Sequence, residues 1–318
     1  MNNLKIKNIL ISGSLVYDRI MDFPGFFKDH IMPDKIHILN VAFSVNEVKE
    51  SFGGTAGNIA YNLNLLGERP TIFSAVGKDF GPYKNWLLRN KTYLNELKVI
   101  KDRNTASVFI ITDKADNQIA AFNPGAMNIP RGRFNNKYLK NALAIISPGN
   151  CEDMLNYAKL YTEQRIKYIF DPGQQITSLK PSALRIGAVG AEILIGNDYE
   201  IELIRRKLKW TTKQLFGKIK TLIITKSGEG SEIYISGKKI TIKAAKIKKV
   251  IDPTGAGDAY RAGLIKGIIS NLSMEESLKL ASAVASYAVT SYGTQKHKFT
   301  LTGLKKKIQN NYNFKARI

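Results

Sequence analysis

Short runs of β-branched and aliphatic residues alternate along this chain with longer segments of helical periodicity, and this alternation restricts the possible folds more than any other feature. A regular succession of strand and helix is typical of a mostly parallel sheet with helices on both faces. The sequence therefore predicts an α/β protein with an α/β/α sandwich. The predicted strands are Asn8–Gly13, Thr71–Val76, Ala142–Ser147, Ile166–Phe170, Ala191–Gly196 and Thr221–Lys226. The predicted helices are Ala56–Leu66, Pro82–Arg89, Glu152–Gln164, Asp198–Lys207, Gly257–Ile269 and Met274–Thr290.

Two segments interrupt the alternation. Lys35–Val48 and Thr105–Phe122 show the partial alternation of strands, and the second is divided by a polar turn that predicts a hairpin. A hairpin inserted into an α/β domain is typical of a small β-sheet lid over a ligand cleft. We therefore expect a single domain over residues 1–318, with lid segments at about 19–50 and 105–128.

The charge of the chain is strongly positive: 48 basic and 26 acidic side chains give a formal net charge of +22. Such an excess raises the hypothesis of nucleic-acid binding. The basic residues, however, form short separate clusters without interleaved aromatic residues. The pattern favours a solvated lysine-rich surface and no specific nucleic-acid partner.

Cysteine use and hydropathy indicate where the protein is expected to work. Cys151 is the only cysteine in the sequence, which excludes an intramolecular disulfide and favours a reducing compartment. No apolar stretch approaches the roughly 18 residues that a membrane span requires. We expect a cytoplasmic protein without a membrane partner.

A glycine-rich turn at residues 252–258, with the sequence DPTGAGD, is the most informative motif. It leads directly into a predicted apolar helix, and the free N–H groups at a helix start form a binding site for an anion. Asp258 lies in that first turn, where a carboxylate can accept the proton of an attacking hydroxyl. The alternative is an ordinary turn in which Asp258 only caps the helix.

This motif resembles the C-terminal signature of the ribokinase-like (phosphofructokinase B type) carbohydrate and nucleoside kinases. The sequence GGTAGN at residues 53–58 resembles the N-terminal signature of the same superfamily, and the similarity extends from about Ile9 to Gly293. The resemblance implies a Rossmann-like α/β/α sandwich with a lid and transfer of the γ-phosphoryl group of ATP to a hydroxyl. It also implies a catalytic base at Asp258 and an anion hole formed by Gly255, Ala256 and Gly257.

By the same resemblance, a group of residues near the N-terminus binds the hydroxyls of a ribose. Gly53 and Gly54 expose backbone donors, and the Asn58 amide can present both a donor and an acceptor. Asp18 can accept two hydrogen bonds from a cis-diol, whereas Ser14 stands where adenosine kinases often have Asn and makes a weaker contact. The alternatives are a helix start with small residues and a surface-loop aspartate.

Residues after two later strands resemble the family's nucleotide site. Asn197 and Glu200 match an Asn-x-x-Glu motif that helps to hold Mg²⁺, largely through water, near the phosphates of ATP. A helix-capping role is the alternative for Asn197. Thr225, Gly228 and Gly230 belong to a turn that resembles the ATP-binding turn of the family, which Asn197 also borders.

A monovalent cation is a further expectation from the resemblance, because some superfamily members need K⁺ near the anion hole. Asp252 and Thr254, together with the turn at Val289–Gly293, could supply oxygen ligands. The sequence leaves this possibility open.

The acceptor is suggested by residues 111–127, which resemble the lid of bacterial adenosine kinases and archaeal nucleoside kinases. The resemblance implies that Phe122 stacks on the base, that Met127 forms a softer wall and that Gln174 faces the cleft. Core packing is the alternative for Phe122. We therefore expect an ATP-dependent kinase that converts adenosine to AMP, with nucleoside and ATP as its small-molecule partners, as a monomer or homodimer.

Two other functions stay open at this point. The same chemistry could act on a free sugar such as ribose or fructose. More remotely, the chain could be a non-catalytic protein that binds nucleosides or nucleic acids, although Asp258 and the Asn197/Glu200 pair disfavour that hypothesis.

Overall fold

The strands form two separate sheets in the computed structural model, which describes residues 6–133 and 136–318. The large sheet has nine strands within these ranges and the small sheet has four. The large sheet contains β1 (Asn8–Ser12), β4 (Thr71–Gly77), β5 (Leu97–Ile100), β8 (Ala142–Ile146), β9 (Lys167–Phe170), β10 (Ile193–Asn197), β11 (Thr221–Thr225), β12 (Ser231–Ile235) and β13 (Lys238–Ile242). The small sheet contains β2 (Val16–Asp22), β3 (Val48–Gly53), β6 (Ala106–Thr112) and β7 (Gln118–Asn123).

Helices cover both faces of the large sheet. Successive residues of a strand point to opposite faces, so Ile9 and Ile11 of β1 enter one core and Leu10 enters the other. This arrangement confirms the predicted α/β/α sandwich. The helices are α1 (Thr55–Leu65), α2 (Gly81–Arg89), α3 (Cys151–Glu163), α4 (Pro181–Gly190), α5 (Asp198–Lys207), α6 (Thr212–Lys218), α7 (Ala256–Ile269), α8 (Met274–Ala288) and α9 (Leu301–Tyr312). No helix in the described part of the chain is long and apolar enough to cross a bilayer.

The strand order of the large sheet is β13-β12-β11-β10-β9-β8-β1-β4-β5. In this order, the seven strands from β11 to β5 are parallel to one another, whereas β12 and β13 are antiparallel to their neighbours. From β1 the chain proceeds through β4 to one edge and from β8 towards the other edge. The topological switch point therefore lies between β1 and β8, and in sheets of this kind ligands bind beyond the carboxyl ends of the strands at that point.

The small sheet, which contains the expected lid segments and is called the lid below, has the order β3-β2-β6-β7. Its first two strands extend from Val16 to Asp22 and from Val48 to Gly53, and its second part is the predicted hairpin of β6 and β7.

The prediction of a strand over Lys35–Val48 was wrong. Pro33–Ile38 form a 3₁₀ helix, and the strand begins only at Val48. Ile36 and Ile38 flank a histidine in a pattern typical of a half-buried strand, but their side chains are 63% and 67% exposed. The alternation is therefore local and does not correspond to a buried face.

Candidate active site

The loops after the parallel strands converge on one cavity of about 470 Å³. Asp171 follows β9, Asn197 ends β10 and Thr225 ends β11, and all three line this cavity because the carboxyl ends of parallel strands meet at one edge of a sheet. The cavity also brings together the residues proposed from sequence for the anion hole, for catalysis and for ATP binding, together with Gln174, which was proposed for the acceptor. These are Gln174, Asn197, Glu200, Thr225, Gly228, Gly230, Gly255, Ala256, Gly257 and Asp258.

The start of α7 forms one wall of the cavity. Gly255 has a φ of +78°, a left-handed conformation that glycine adopts without the steric cost of a Cβ. The first intrahelical bond is donated by the amide of Ala259, and the Ala256 amide donates to the carbonyl of Pro253 at 3.2 Å. The amides of Gly257 and Asp258 precede the first helical bond, as an anion site at a helix start requires.

The carboxyl group of Asp258 lies in the first turn of α7 and accepts a hydrogen bond of 2.8 Å from Nδ2 of Asn58. Burial raises the pKa of Asp258 to about 7, although the hydrogen bond from Asn58 and the charge of Arg261 lower it. The negative charges of Asp171 and Asp18 raise it further. A carboxyl group with a pKa near neutrality is suited to act as a general base at physiological pH.

Sequence reasoning missed a buried ion pair behind Asp258. The guanidinium of Arg261 donates from Nε and Nη2 to the two carboxylate oxygens of Asp171, at 2.5 and 2.9 Å. Its Nη1 donates to the carbonyl of Gly257 at 3.0 Å, which ties the ion pair to the first turn of α7. The signal was an arginine three residues after Asp258 in a mostly apolar helix, because a buried arginine requires a partner.

The Asn58 amide has a more restricted role than its chemistry suggested. Its Oδ1 accepts a hydrogen bond of 3.0 Å from Gln295, while its Nδ2 faces Asp258. Its oxygen thus already has a protein partner, and the amide nitrogen is the atom directed at the proposed base. Gln295 is a second residue that sequence reasoning missed, since it lies 237 positions from Asn58.

Asp18 lies on β2 of the lid, directly against the glycine pair. A Cβ at Gly53 would approach Oδ2 of Asp18 to 2.2 Å, and a Cβ at Gly54, whose φ is +86°, would approach the carbonyl oxygen of Ser14 to 2.6 Å. Burial of the Asp18 carboxyl group raises its pKa to about 6, and the nearby negative charge of Asp252 contributes to this increase. The hydroxyl of Ser14 accepts from the amide of Thr55 at 3.1 Å and thus holds the start of α1.

Phe122 lies on the same face of the lid as Asp18. The register pairs Asp18 with Val108 and Val108 with Phe122, and directly paired residues of a sheet project to the same side. The Phe122 side chain is 51% exposed, so it is not a core residue. Met127, in contrast, is buried at the base of the lid against Val16.

The two proposed magnesium residues form a capping box at the start of α5. The Asn197 side chain accepts from the amide of Glu200, and Oε2 of Glu200 accepts from the amide of Asn197, both at 2.8 Å. Oε1 of Glu200 accepts no hydrogen bond from residues 6–133 or 136–318, and burial raises the pKa of this carboxyl group. A capping role and a contact with a magnesium-bound water are therefore compatible for Glu200.

The proposed potassium residue Asp252 is already hydrogen-bonded by the backbone. Its Oδ1 accepts from the amide of Thr254 and its Oδ2 from the amide of Gly293, both at 2.9 Å. Burial alone would raise the pKa of Asp252, but these bonds lower it below its ordinary value. The arrangement keeps Asp252 charged at the base of the glycine-rich turn.

Comparison with known families identifies this architecture. Residues 14–300 match the model of the pfkB family carbohydrate kinases. The chain belongs to the pfkB family. This pfkB kinase is therefore a phosphotransferase that acts on a hydroxyl group, with the ribokinase-like fold that its two sheets form.

Relatives of this pfkB kinase include a nucleoside kinase from Methanocaldococcus jannaschii, which is 31% identical over 80% of this chain and 85% of the relative. A nucleoside kinase from Methanothermobacter thermautotrophicus is 29% identical over 91% of each chain. Among solved structures, the Burkholderia thailandensis nucleoside kinase in complex with inosine superposes with a TM-score of 0.84 at 32% identity. That superposition covers 96% of this chain and 99% of the other.

Proposed function

We propose that this pfkB kinase transfers the γ-phosphoryl group of ATP to the 5′-hydroxyl of a purine nucleoside, with adenosine as the preferred acceptor. The observation on which the proposal depends is the lid row in which Asp18 and the exposed Phe122 share one face. A carboxylate that can bind a diol and an aromatic ring that can stack on a base suit a nucleoside. The names of the archaeal and bacterial relatives, which are nucleoside kinases, support the same class of acceptor.

The proposed mechanism assigns one role to each part of the site. Asp18, Gly54 and Asn58 orient the ribose, and the lid excludes water from the reacting groups. Asp258 removes the proton of the 5′-hydroxyl as the oxygen attacks the γ-phosphorus in line. The new O–P bond forms as the bond from the γ-phosphorus to the bridging oxygen breaks, and ADP leaves with that electron pair. The amides at the start of α7 stabilise the charge on the transferring phosphoryl group.

ATP is proposed to bind in the cavity between the start of α7 and the turn at Thr225, Gly228 and Gly230. Magnesium supplies charge neutralisation for the phosphates, and Glu200 would contact it through water. A potassium ion near Asp252 and Thr254 is a further proposal, which a comparison of activity in potassium and sodium buffers tests directly.

Inosine is the second candidate acceptor, because the Burkholderia thailandensis relative was solved in complex with this nucleoside. Adenosine and inosine differ at the 6-position of the purine, and stacking on Phe122 does not distinguish between them. The choice between them therefore depends on polar contacts to the base edge, for which Gln174 is the proposed residue.

The proposal is tested by measuring ATP-dependent phosphorylation of a panel that contains adenosine, inosine, cytidine, ribose and fructose. We expect the highest kcat/KM with a purine nucleoside and much lower values with both sugars. A preference for ribose or fructose would contradict the nucleoside assignment and favour a sugar kinase. Absence of phosphorylation of every acceptor, with ATP and magnesium present, would contradict this proposal as a whole.

A further inference from the structure

Three side chains form a row of hydrogen bonds that ends on Asp258, the proposed base. The Trp86 indole Nε1 donates to Oε1 of Gln295 at 2.8 Å, and Nε2 of Gln295 donates to Oδ1 of Asn58 at 3.0 Å. Nδ2 of Asn58 then donates to Oδ2 of Asp258 at 2.8 Å. Gln295 and Asn58 are each only 4% exposed, so water does not compete for these bonds.

The direction of this row of hydrogen bonds follows from the chemistry of its members. An indole N–H can only donate a hydrogen bond, so the atom of Gln295 that faces Trp86 must be the oxygen. The nitrogen of Gln295 must then face Asn58, where it requires the oxygen of the Asn58 amide. The remaining side of the Asn58 amide, which faces Asp258, is therefore an N–H donor.

A second contact fixes the same orientation independently. Nε2 of Gln295 also donates to the Tyr83 hydroxyl at 2.7 Å, and that hydroxyl donates to the carbonyl of Gly53 at 2.8 Å. A carbonyl can only accept, so the proton of the Tyr83 hydroxyl is directed at Gly53 and its oxygen is left to accept from Gln295. A reversed Gln295 amide would place its oxygen against that lone pair.

We propose that Gln295 is a positioning residue for phosphoryl transfer, because it holds the Asn58 amide with an N–H rather than an oxygen towards Asp258. The proposal rests on the proposed role of Asp258 as the general base. A reversed Asn58 amide would direct an acceptor at the carboxylate, and this arrangement is favourable only when Asp258 is protonated and cannot act as a base. The row of hydrogen bonds from Trp86 thus favours the ionised form of Asp258, which is the form that can act as a base.

The other charged groups around Asp258 do not perform this selection. Arg261 on α7 favours the ionised form, whereas Asp171 after β9 and Asp18 on the lid disfavour it. Because burial already raises the pKa of Asp258 to about 7, loss of the Asn58 donor would raise this pKa further and leave less of the carboxyl group ionised at neutral pH.

The protein offers a control residue close to Gln295 that contacts the same helix, α1. His297 lies two residues after Gln295, is 3% exposed, and contacts Oδ1 of Asn62 at 2.8 Å, one turn after Asn58 on α1. Burial lowers the pKa of His297 to about 4, so the ring is neutral and the contact is comparable to that of Gln295. Replacement of either residue by leucine leaves one buried asparagine oxygen without its partner, and Gln295→Leu also removes the acceptor of the Trp86 indole N–H. Only Gln295 contacts the Asn58 side chain that donates to Asp258.

The experiment measures kcat at saturating ATP and nucleoside between about pH 5 and pH 9, roughly two units either side of the Asp258 pKa of about 7. For Gln295→Leu we expect the acidic limb of the profile to move to higher pH, with a loss of roughly tenfold at pH 6 that recovers towards pH 9. Trp86→Phe should move the limb in the same direction by less, since Tyr83 still orients Gln295. His297→Leu should lower thermal stability to a similar extent without moving the limb.

Three outcomes would contradict the inference or its foundation. If Gln295→Leu lowers kcat equally at every pH, or changes only thermal stability as His297→Leu does, Gln295 is a structural residue. If Gln295→Leu does not fold, an unshifted profile for the double variant Trp86→Phe/Tyr83→Phe, which removes both groups that orient Gln295, has the same consequence. If Asp258→Asn retains wild-type turnover, the base assignment itself is wrong, which is a different result from an inactive Asp258→Asn with an unshifted Gln295→Leu.

Discussion

The two sheets of this molecule differ in how deeply their strands are buried. Every residue of β4 in the large sheet is buried, whereas every residue of β7 in the lid is exposed. The central strands of the large sheet lie between two layers of helices, so their side chains are fixed by packing on both faces. Strand β7 lies at the edge of the lid, where its side chains have solvent on both faces.

The lid has its own stabilising contacts, and they lie on the face opposite Asp18. Arg19 donates to Glu50 and to the Ser107 hydroxyl, each at 2.9 Å, and its guanidinium lies 5.3 Å from the Phe109 ring centre. These contacts connect β2, β3 and β6 on the outer face of the lid. The inner face, with Asp18 and Phe122, is thereby left open to a ligand.

The comparison indicates that the residues proposed for catalysis and those proposed for recognition of the acceptor are held in place by different amounts of packing. Asp258 and its partners are fixed by the buried sandwich, as groups that must hold reacting atoms in place require. Phe122 is on a strand that packing does not hold, which suits a group that moves onto a bound base. We therefore expect substitutions in the sandwich to change kcat or folding and substitutions on the inner face of the lid to change KM.

The largest expected effect is that of Asp258→Asn, which preserves the shape of the side chain but removes its capacity to accept the proton. We expect kcat to fall by roughly 10²–10⁴ while KM for both substrates changes little. Steady-state kinetics with the best acceptor of the panel measures both values. Near wild-type turnover would mean that Asp258 is only a helix cap. It would also contradict the expectation that substitutions in the sandwich change kcat.

The same variant is also expected to be more stable than the wild type in alkaline buffer. The folded-state pKa of Asp258, about 7, lies above its ordinary value of 3.8, so the folded protein retains a proton that the unfolded chain releases between these values. Ionisation therefore costs stability progressively as the pH rises through this window. Thermal denaturation should give Asp258→Asn a higher Tm than the wild type at pH 8 and a similar Tm at pH 4.

Packing in the two sheets is compared by a pair of isoleucine truncations. Ile11 on β1 is fully buried, whereas Ile119 on the outer face of β7 is 42% exposed. Ile11→Ala should lower the free energy of unfolding by about 2–5 kcal/mol because it leaves a cavity. Ile119→Ala should change it by less than about 0.5 kcal/mol in chemical denaturation. Equal losses would mean that the lid is as firmly packed as the sandwich.

Recognition by the lid is tested with Phe122→Ala. Loss of stacking should raise KM for adenosine by an amount equivalent to about 0.5–1.5 kcal/mol, in addition to the lost apolar contact area. Any activity on free ribose should be unchanged, because ribose has no base to stack. Asp18→Ala is the contrasting variant and should impair both acceptors, since both present a diol. If Phe122→Ala weakens both equally, the nucleoside assignment loses its support from the lid.

The smallest effect is expected from the surface charge. If the net charge of +22 belongs to a solvated surface, binding to DNA or RNA should be weak and should disappear near physiological salt. Fluorescence anisotropy with labelled oligonucleotides over a salt series measures this. Sub-micromolar binding that persists at about 0.15 M salt would indicate a nucleic-acid site that neither sheet accounts for.

Much of the sandwich follows from the sequence alone. The six predicted strands and six predicted helices are all present with ends within two residues of the prediction, and α5 has the predicted bounds. The reason is that burial on one or both faces imposes a local period on the chain, which short windows of sequence reveal. The glycine-rich turn before Asp258 is local in the same sense, because seven consecutive residues form it.

The segment that leads into β3 of the lid and the partners of the active-site residues were decided by the tertiary structure. Periodicity failed at Lys35–Val48 because residues 35–40 are all exposed and only Val41, Phe43 and Val45 are half-buried, so most of the segment has no buried face to impose a period. The contacts of Asn58 with Asp258 and Gln295 join residues 200 and 237 positions apart, and the ion pair of Arg261 with Asp171 joins residues 90 apart. Each bond depends on where the fold brings two distant segments together, and no local pattern encodes that position. The sequence alone thus determined which elements form and which residue types are available for chemistry, whereas the packing of the strand ends determined which atoms face the proposed base.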